Sequence, residues 1–245
     1  MSPSEKVKFI SNWIKSYVDN MPSKAEALVI GISGGIDSSV SSTLSAMTGL
    51  KTIVLSMPIK QKENQHDLSL KHQNWLVEKF KNVEAHTLNL DQLFNSFSST
   101  LNKFDNEHGF ANSRARLRMV TLYQVAAANR GIVVGTGNKV EDFGVGFYTK
   151  YGDGGVDISP IADCNKTEVW ELGKELGILK EIIDAPPTDG LWDDGRTDEG
   201  QLGFSYKDLE DAMKNPDSPH KTEYEKIRKQ NLHKMEPIPV CKIPS

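Results

Sequence analysis

Cysteine is scarce in this chain: two residues, Cys164 and Cys241, far apart in sequence. A disulfide framework and a four-ligand zinc site are both excluded by pattern, and a reducing compartment is the expectation. No run approaches the roughly 20 apolar residues a membrane span needs. The first twenty residues, "MSPSEKVKFISNWIKSYVDN", carry scattered charge and no apolar stretch, so they do not read as a signal peptide. Positive charge is not in excess either. A formal net charge of −4 argues against a nucleic-acid partner, which calls for a basic surface. Internal repeats and low-complexity linkers are missing as well. With 38% hydrophobic and 25% charged residues over 245 positions, the expectation is one cytoplasmic domain, residues 1–245.

What is present is an alternation. Val7, Ile10, Ile14 and Val18 fall at helical spacing, with Ser4 as a candidate cap. Short apolar strands are predicted at 27–32, 52–57, 83–88 and 131–136. Helix-length segments lie between them at 37–48, 64–81, 91–102 and 113–129. That rhythm predicts an α/β fold, a doubly wound and mostly parallel sheet with helices on both faces. Further helices are predicted at 166–176, 206–214 and 219–233. Residues 137–157 hold six glycines, and 184–204 read as a second long loop. Loops of that length are usually functional.

Directly after the first strand stands "GISGGIDS", residues 31–38. Gly34 and Gly35 let backbone approach an anion, and the following helix offers free N–H groups and the positive end of its dipole. Asp37 would repel phosphate unless a cation lay between them, and magnesium is bound by a carboxylate plus phosphate oxygens. An ordinary turn with Asp37 or Ser38 as helix cap fits the same residues. This is not a Walker loop, since no lysine follows the glycines.

The string "SGGIDSS" resembles the pyrophosphate-binding loop of the N-type ATP pyrophosphatases, which cleave ATP between the α and β phosphates. Four further stretches narrow the resemblance: "NSRARLRM" at 112–119, "GTGNKVED" at 135–142, "GFYTKYGDGGVDISPI" at 146–161 and "NKTEVWELGKELG" at 165–177, followed by "APPTDGLW". Taken alone, the arginines could be a solvated helix start, and Lys166 with Glu168 a minor surface pair. In this order they resemble the ammonia-dependent NAD synthetases, and the run "TKYGDGGVD" discriminates most. The likeness runs from about residue 5 to "HKMEPIPV" at 233–240.

The resemblance implies a fold like that of the adenine nucleotide alpha hydrolases and a ligase that forms a C–N bond. Deamido-NAD, ATP and ammonia would give NAD, AMP and pyrophosphate through an adenylated intermediate, in the last step of NAD biosynthesis. Free ammonia is implied because glutamine-using relatives carry an additional amidase domain that this chain has no room for. Carried over residue by residue, Gly31, Ile32, Ser33, Gly34, Gly35, Ile36, Asp37 and Ser38 would hold the ATP phosphates. Thr136 and Thr188 would contact ATP, and Lys166 would neutralise its terminal phosphates, supplying the lysine the loop lacks. Asp37 and Glu141 would ligate magnesium. Arg116, Lys150, Asp157, His233 and Lys234 would bind deamido-NAD, in a homodimer whose dinucleotide site draws on both subunits. Asp153 receives no role, and no catalytic base is named. Trp170 and Trp192 read as packing residues and Cys164 as structural. One departure stands out: the segment "EDFGVGFYTK" from Glu141 to Lys150 is a residue longer than in some relatives.

Overall fold

A computed structural model describes residues 1–61, 63–188 and 197–244. Helix α1 (Pro3–Asp19) has its cap two residues before the expected one, because Ser2, not Ser4, closes its first turn. The Ser2 hydroxyl accepts from the Glu5 amide, and the Glu5 carboxylate accepts from the Ser2 amide at 2.7 Å. Pro3, which has no amide hydrogen to satisfy, starts the helix.

Four parallel strands follow: β1 (Ala27–Gly31), β2 (Lys51–Ser56), β3 (Val83–Thr87) and β4 (Gly131–Val133), in the order β3-β2-β1-β4. The connection from β1 to β2 is α2 (Ile36–Met47), and that from β2 to β3 is α3 (Glu63–Lys79). Between β3 and β4 run α4 (Asp91–Thr100) and α5 (Glu107–Ala128). The chain thus winds outward from β1 through β2 and β3, then crosses back to place β4 on the other side of β1. The order reverses between β1 and β4, which is where an open parallel sheet leaves a crevice at its carboxyl edge.

Alternation along the strands builds two cores. Leu28 and Ile30 of β1, Val54 of β2 and Ile132 of β4 pack against α1, α2 and the later helix α6 (Lys166–Leu176). Ala27 and Val29 of β1, Ile53 and Leu55 of β2 and Val133 of β4 pack on the other face with α4 and α5. Strand neighbours of opposite pleat therefore serve opposite layers, the doubly wound arrangement.

Two boundaries depart from expectation. Helix α5 begins at Glu107, not at 113, because the Asn106 side chain caps it by accepting from the Gly109 amide at 2.7 Å. The three arginines of "NSRARLRM" therefore lie inside a helix, not at the start of one, and Arg114 is buried. Within the expected loop 137–157, a π-helix spans Lys139–Val145 and ends on Gly146 at φ 69°. Its hydrogen bonds span one residue more than those of an α-helix. Glycine is required at 146, since a Cβ there would lie 2.6 Å from the Asn231 Cβ of helix α10 (Lys221–Met235). Helices α7 (Lys180–Ile183), α8 (Asp198–Leu202) and α9 (Tyr206–Lys214) complete the described elements. Val140 and Val145 of the π-helix, Tyr206 and Leu209 of α9 and Tyr224 of α10 form a third, smaller cluster.

Helix α2 is rich in serine, and its hydroxyls bond to its own backbone: Thr43 to the Ser39 carbonyl at 2.7 Å, Ser45 to that of Ser41 at 2.8 Å. Ser42 bonds to the Ser39 carbonyl at 3.1 Å and also shares a 3.0 Å hydrogen bond with Nε2 of His72, a fully buried residue of α3 stacked on Trp75. Burial pushes the His72 pKa from 6.5 down to about 4. Between those values the unfolded chain holds a proton that the native protein does not, so stability rises with pH across that interval. The expected loss on acidification from pH 6.5 to 4 is on the order of 3 kcal/mol. Urea unfolding at stepped pH should show it, and His72→Gln should flatten that part of the slope. Superimposable slopes would contradict the assignment.

Candidate active site

At the switch point, the chain leaves β1 through Gly31–Ser38 and leaves β4 through Gly135–Asn138. Gly34 takes φ 89°, a left-handed conformation open to glycine. Gly35 stands at the amino cap of α2 with no side-chain cap hydrogen bond. The loop is held by its own serines. The Ser33 amide donates to Ser38 Oγ at 3.2 Å, the Gly35 amide to Ser33 Oγ at 3.2 Å, and Ser38 Oγ to the Gly35 carbonyl at 3.1 Å. The turn-and-cap alternative fails at Asp37, whose carboxylate faces away from the helix end toward Lys166 and Asn138. Ile32 and Ile36 send their side chains into the core, so only their backbone is offered to a ligand.

Three residues far apart in sequence meet here. Lys166 Nζ, on the first turn of α6, donates to Asp37 Oδ2 at 2.5 Å and to Glu141 Oε1 at 2.9 Å. Its side chain is 2% exposed. Burial alone would lower the lysine pKa, but the two carboxylates reverse the effect and hold it well above its ordinary value. Burial raises the Asp37 pKa despite the ammonium beside it. For Glu141 the Lys166 charge and the Tyr206 hydroxyl overcome burial, leaving its carboxyl below the ordinary value. Lys166 does not pair with Glu168, whose carboxylate takes Lys6 at 2.5 Å and the Asn165 amide at 2.8 Å.

Two neighbours complete the cluster that the sequence did not single out. Asn138 caps the π-helix by accepting the Val140 and Glu141 amides at 3.1 Å, which turns its amide nitrogen toward Asp37 Oδ1 at 3.2 Å. The Tyr206 hydroxyl donates to Glu141 Oε1 at 2.6 Å. The half-buried Asp142 lies over Gly137, where a Cβ would clash with its carboxylate. Burial, then the charges of Asp153, Glu141 and Asp37, raise its pKa well above the ordinary value.

Gly31, Ile32, Ser33, Asp37, Ser38, Thr136, Glu141 and Thr188 line one cavity of about 210 Å³, together with Asp142, Asp153 and Arg118. Arg118 was missed as a lining residue because it looked like one of three equivalent helix arginines; its Nε donates to the Met57 carbonyl at 3.0 Å. Asp153 receives a structural partner, the Thr149 amide at 2.9 Å.

The other group assembles outside that cavity. Arg116 Nε donates to the Lys150 carbonyl at 3.2 Å, and Lys150 Nζ to the His233 carbonyl at 2.8 Å. Lys234 Nζ donates to the Gly146 and Tyr148 carbonyls at 2.5 and 2.9 Å, and burial lowers its pKa. Asp157 accepts the Val133 amide at 2.7 Å and the Tyr123 hydroxyl at 3.1 Å, at the edge of β4. Cys164 is buried, with its thiol pushed up to about 11 by burial. Trp170 packs edge-on against Tyr206 at 5.9 Å, whereas Trp192 lies outside the described residues.

Do these residues fit a magnesium ion? Asp37 and Glu141 present hard oxygen donors to one shared cation, the Lys166 ammonium. Among the described residues, no group of three or more acidic, histidine or cysteine side chains could hold a metal by itself. A site with two carboxylates beside an anion cradle suits magnesium, which usually takes its remaining ligands from phosphate and water. The residues fit.

The NAD synthase family profile matches residues 6–243. An NH(3)-dependent NAD(+) synthetase from Carboxydothermus hydrogenoformans is 38% identical over 212 residues, 84% of this chain and 83% of that protein. One from Alkaliphilus oremlandii is 36% identical over 249 residues, 96% of this chain and 95% of that protein. Among solved structures, an NMN synthetase from Francisella tularensis superimposes with a TM-score of 0.90 at 33% identity, covering 99% of this chain and 100% of that one.

Removing the Lys166 charge should expose what it balances. Lys166→Met leaves two half-buried carboxylates without a cation, a loss on the order of 3 kcal/mol. Millimolar magnesium should restore part of it, raising the melting temperature of the variant by more than that of the parent. An unaltered melting temperature, or equal magnesium responses, would contradict this reading of the cluster.

Proposed function

The chain belongs to the NAD synthase family, and we propose that it amidates deamido-NAD with ammonia at the expense of ATP, as a single domain over residues 1–245. The observation that carries the reading is the meeting of Asp37, Glu141 and Lys166 beside the glycine–serine loop, at the switch point of the sheet.

A carboxylate resists ammonia until its oxygen is made a leaving group. The nicotinate carboxylate attacks the α-phosphorus of ATP, the bond to the β-phosphate breaks, and pyrophosphate departs. Ammonia then attacks the acyl carbon of the adenylate, the C–O bond to AMP breaks, and the nitrogen gives up a proton. The work asked of the protein is positioning and charge stabilisation. The backbone from Gly31 to Ser38 holds the phosphates against the amino end of α2, with Thr136 and Thr188 beside the nucleotide. Lys166 turns its charge toward the departing pyrophosphate. Asp37 and Glu141 hold magnesium, which when bound neutralises phosphate oxygens.

Arg116, Lys150, Asp157, His233 and Lys234 bind the deamido-NAD. None of them lines the cavity beside the cradle, which suits a long substrate whose nicotinate end alone reaches the ATP. A homodimer fits the same surface: Val120 is 67% and Tyr151 60% exposed, next to Tyr123 and the Arg116–Lys150 pair. Burying that apolar face against a second copy would enclose the dinucleotide between subunits. No described helix is long and apolar enough to cross a membrane, in keeping with a cytoplasmic enzyme.

A second reading shares the chemistry and changes the substrate. Likeness over full length to an NMN synthetase favours nicotinate mononucleotide, which presents the same carboxylate without the adenylate half. Turnover with ATP, magnesium and ammonium separates the cases. The dinucleotide should be used with at least tenfold higher kcat/KM, giving AMP and pyrophosphate in equal amounts. The reverse preference would establish the mononucleotide reading, and ADP with phosphate would overturn both.

A further inference from the structure

Glu141 and Asp37 differ in chain position and in the element that carries them, yet each has the same two kinds of partner. Both give one oxygen to Lys166. Each also accepts one neutral donor, Asn138 on Asp37 and Tyr206 on Glu141. If a metal ion takes the place of the ammonium, the neutral donors are what remain to hold the carboxylates in position. Groups of this kind commonly decide how well a ligand carboxylate is aimed.

We propose that Tyr206 is a positioning residue for Glu141, an inference that rests on Glu141 being a magnesium ligand. Its place in the fold supports that role. The residue is 1% exposed, fixed by its own amide on Glu199 Oε1 at 3.0 Å and by the edge of Trp170. The phenol has one proton and two carboxylates in reach, Glu141 at 2.6 Å and Asp198 at 3.3 Å, so the shorter bond goes to Glu141. The face of the same ring lies 4.9 Å from Lys166 Nζ. One side chain therefore touches both the carboxylate and the ammonium that balances it. A residue needed only to fill the core would be served by phenylalanine, since the ring makes the packing and the hydroxyl makes only the polar contacts.

The test is Tyr206→Phe, with Trp170→Phe as a packing control that leaves the hydroxyl in place. Binding of Mn²⁺ is measured by electron paramagnetic resonance in the presence of a non-hydrolysable ATP analogue, alongside the magnesium dependence of AMP formation. Tyr206→Phe should weaken metal binding by about 10- to 100-fold while KM for the nicotinate substrate stays within about twofold. Trp170→Phe should bind metal as the parent does. Tyr206→His, a ring that retains a donor, should recover part of the loss and supplies a second variant should the first not fold. Parent-like metal binding in Tyr206→Phe, or an equal weakening of every ligand in both ring variants, would overturn the proposal. A parent that binds no metal would instead overturn the magnesium reading on which the proposal stands.

Discussion

The centre of this protein is one buried ammonium shared by two half-buried carboxylates. Lys166 is drawn from α6, Asp37 from the start of α2 and Glu141 from the π-helix, so three segments converge on a single charge. Isolated, each group would be costly to bury; together they are mutually compensated. The elements that carry them are held to that meeting point by it. The amino end of α2 carries no side-chain cap, since its cap residue is Gly35 and Asp37 is engaged with Lys166 and Asn138, and the phosphate cradle proposed above needs such an end. A helix end satisfied by its own aspartate would have little left for an anion.

The π-helix gives the same centre its second arm. The Gly146 and Phe147 amides both reach back to the Glu141 carbonyl, closing the wider turn, and Gly146 turns the chain in the left-handed region. Beyond it, Lys150 and Asp157 meet Arg116, Tyr123 and β4. The wide turn is thus held between Asn138, which caps it, and α10, which lies against Gly146.

Much of this was legible in the sequence, for identifiable reasons. Strand and helix order followed from apolar periodicity, and the Gly31–Ser38 loop from glycines placed where a strand meets a helix. The demand for a cation near Asp37 followed from charge alone, and the structure brings Lys166 to it. Asn138 and Tyr206 left no such signal, because each acts on another side chain and its spacing obeys no motif. The start of α5 was misplaced because "NEHGFA" has a glycine and weak periodicity; the Asn106 cap decides the matter locally. The π-helix was hidden for a similar reason. Its apolar residues fit neither a 3.6-residue nor a two-residue period, so the segment read as a loop.

Gly173 of α6 packs so closely on α2 that a Cβ there would lie 2.6 Å from Ile36 Cδ1. The helix that begins at Asp37's neighbour and the helix that begins at Lys166 therefore behave as one solid piece, with the two opposed charges mounted side by side. Close-packed interiors transmit strain and yield little. On the proposed reading, any turning of the lysine toward phosphate falls to its own side-chain torsions, with the helices as a fixed frame.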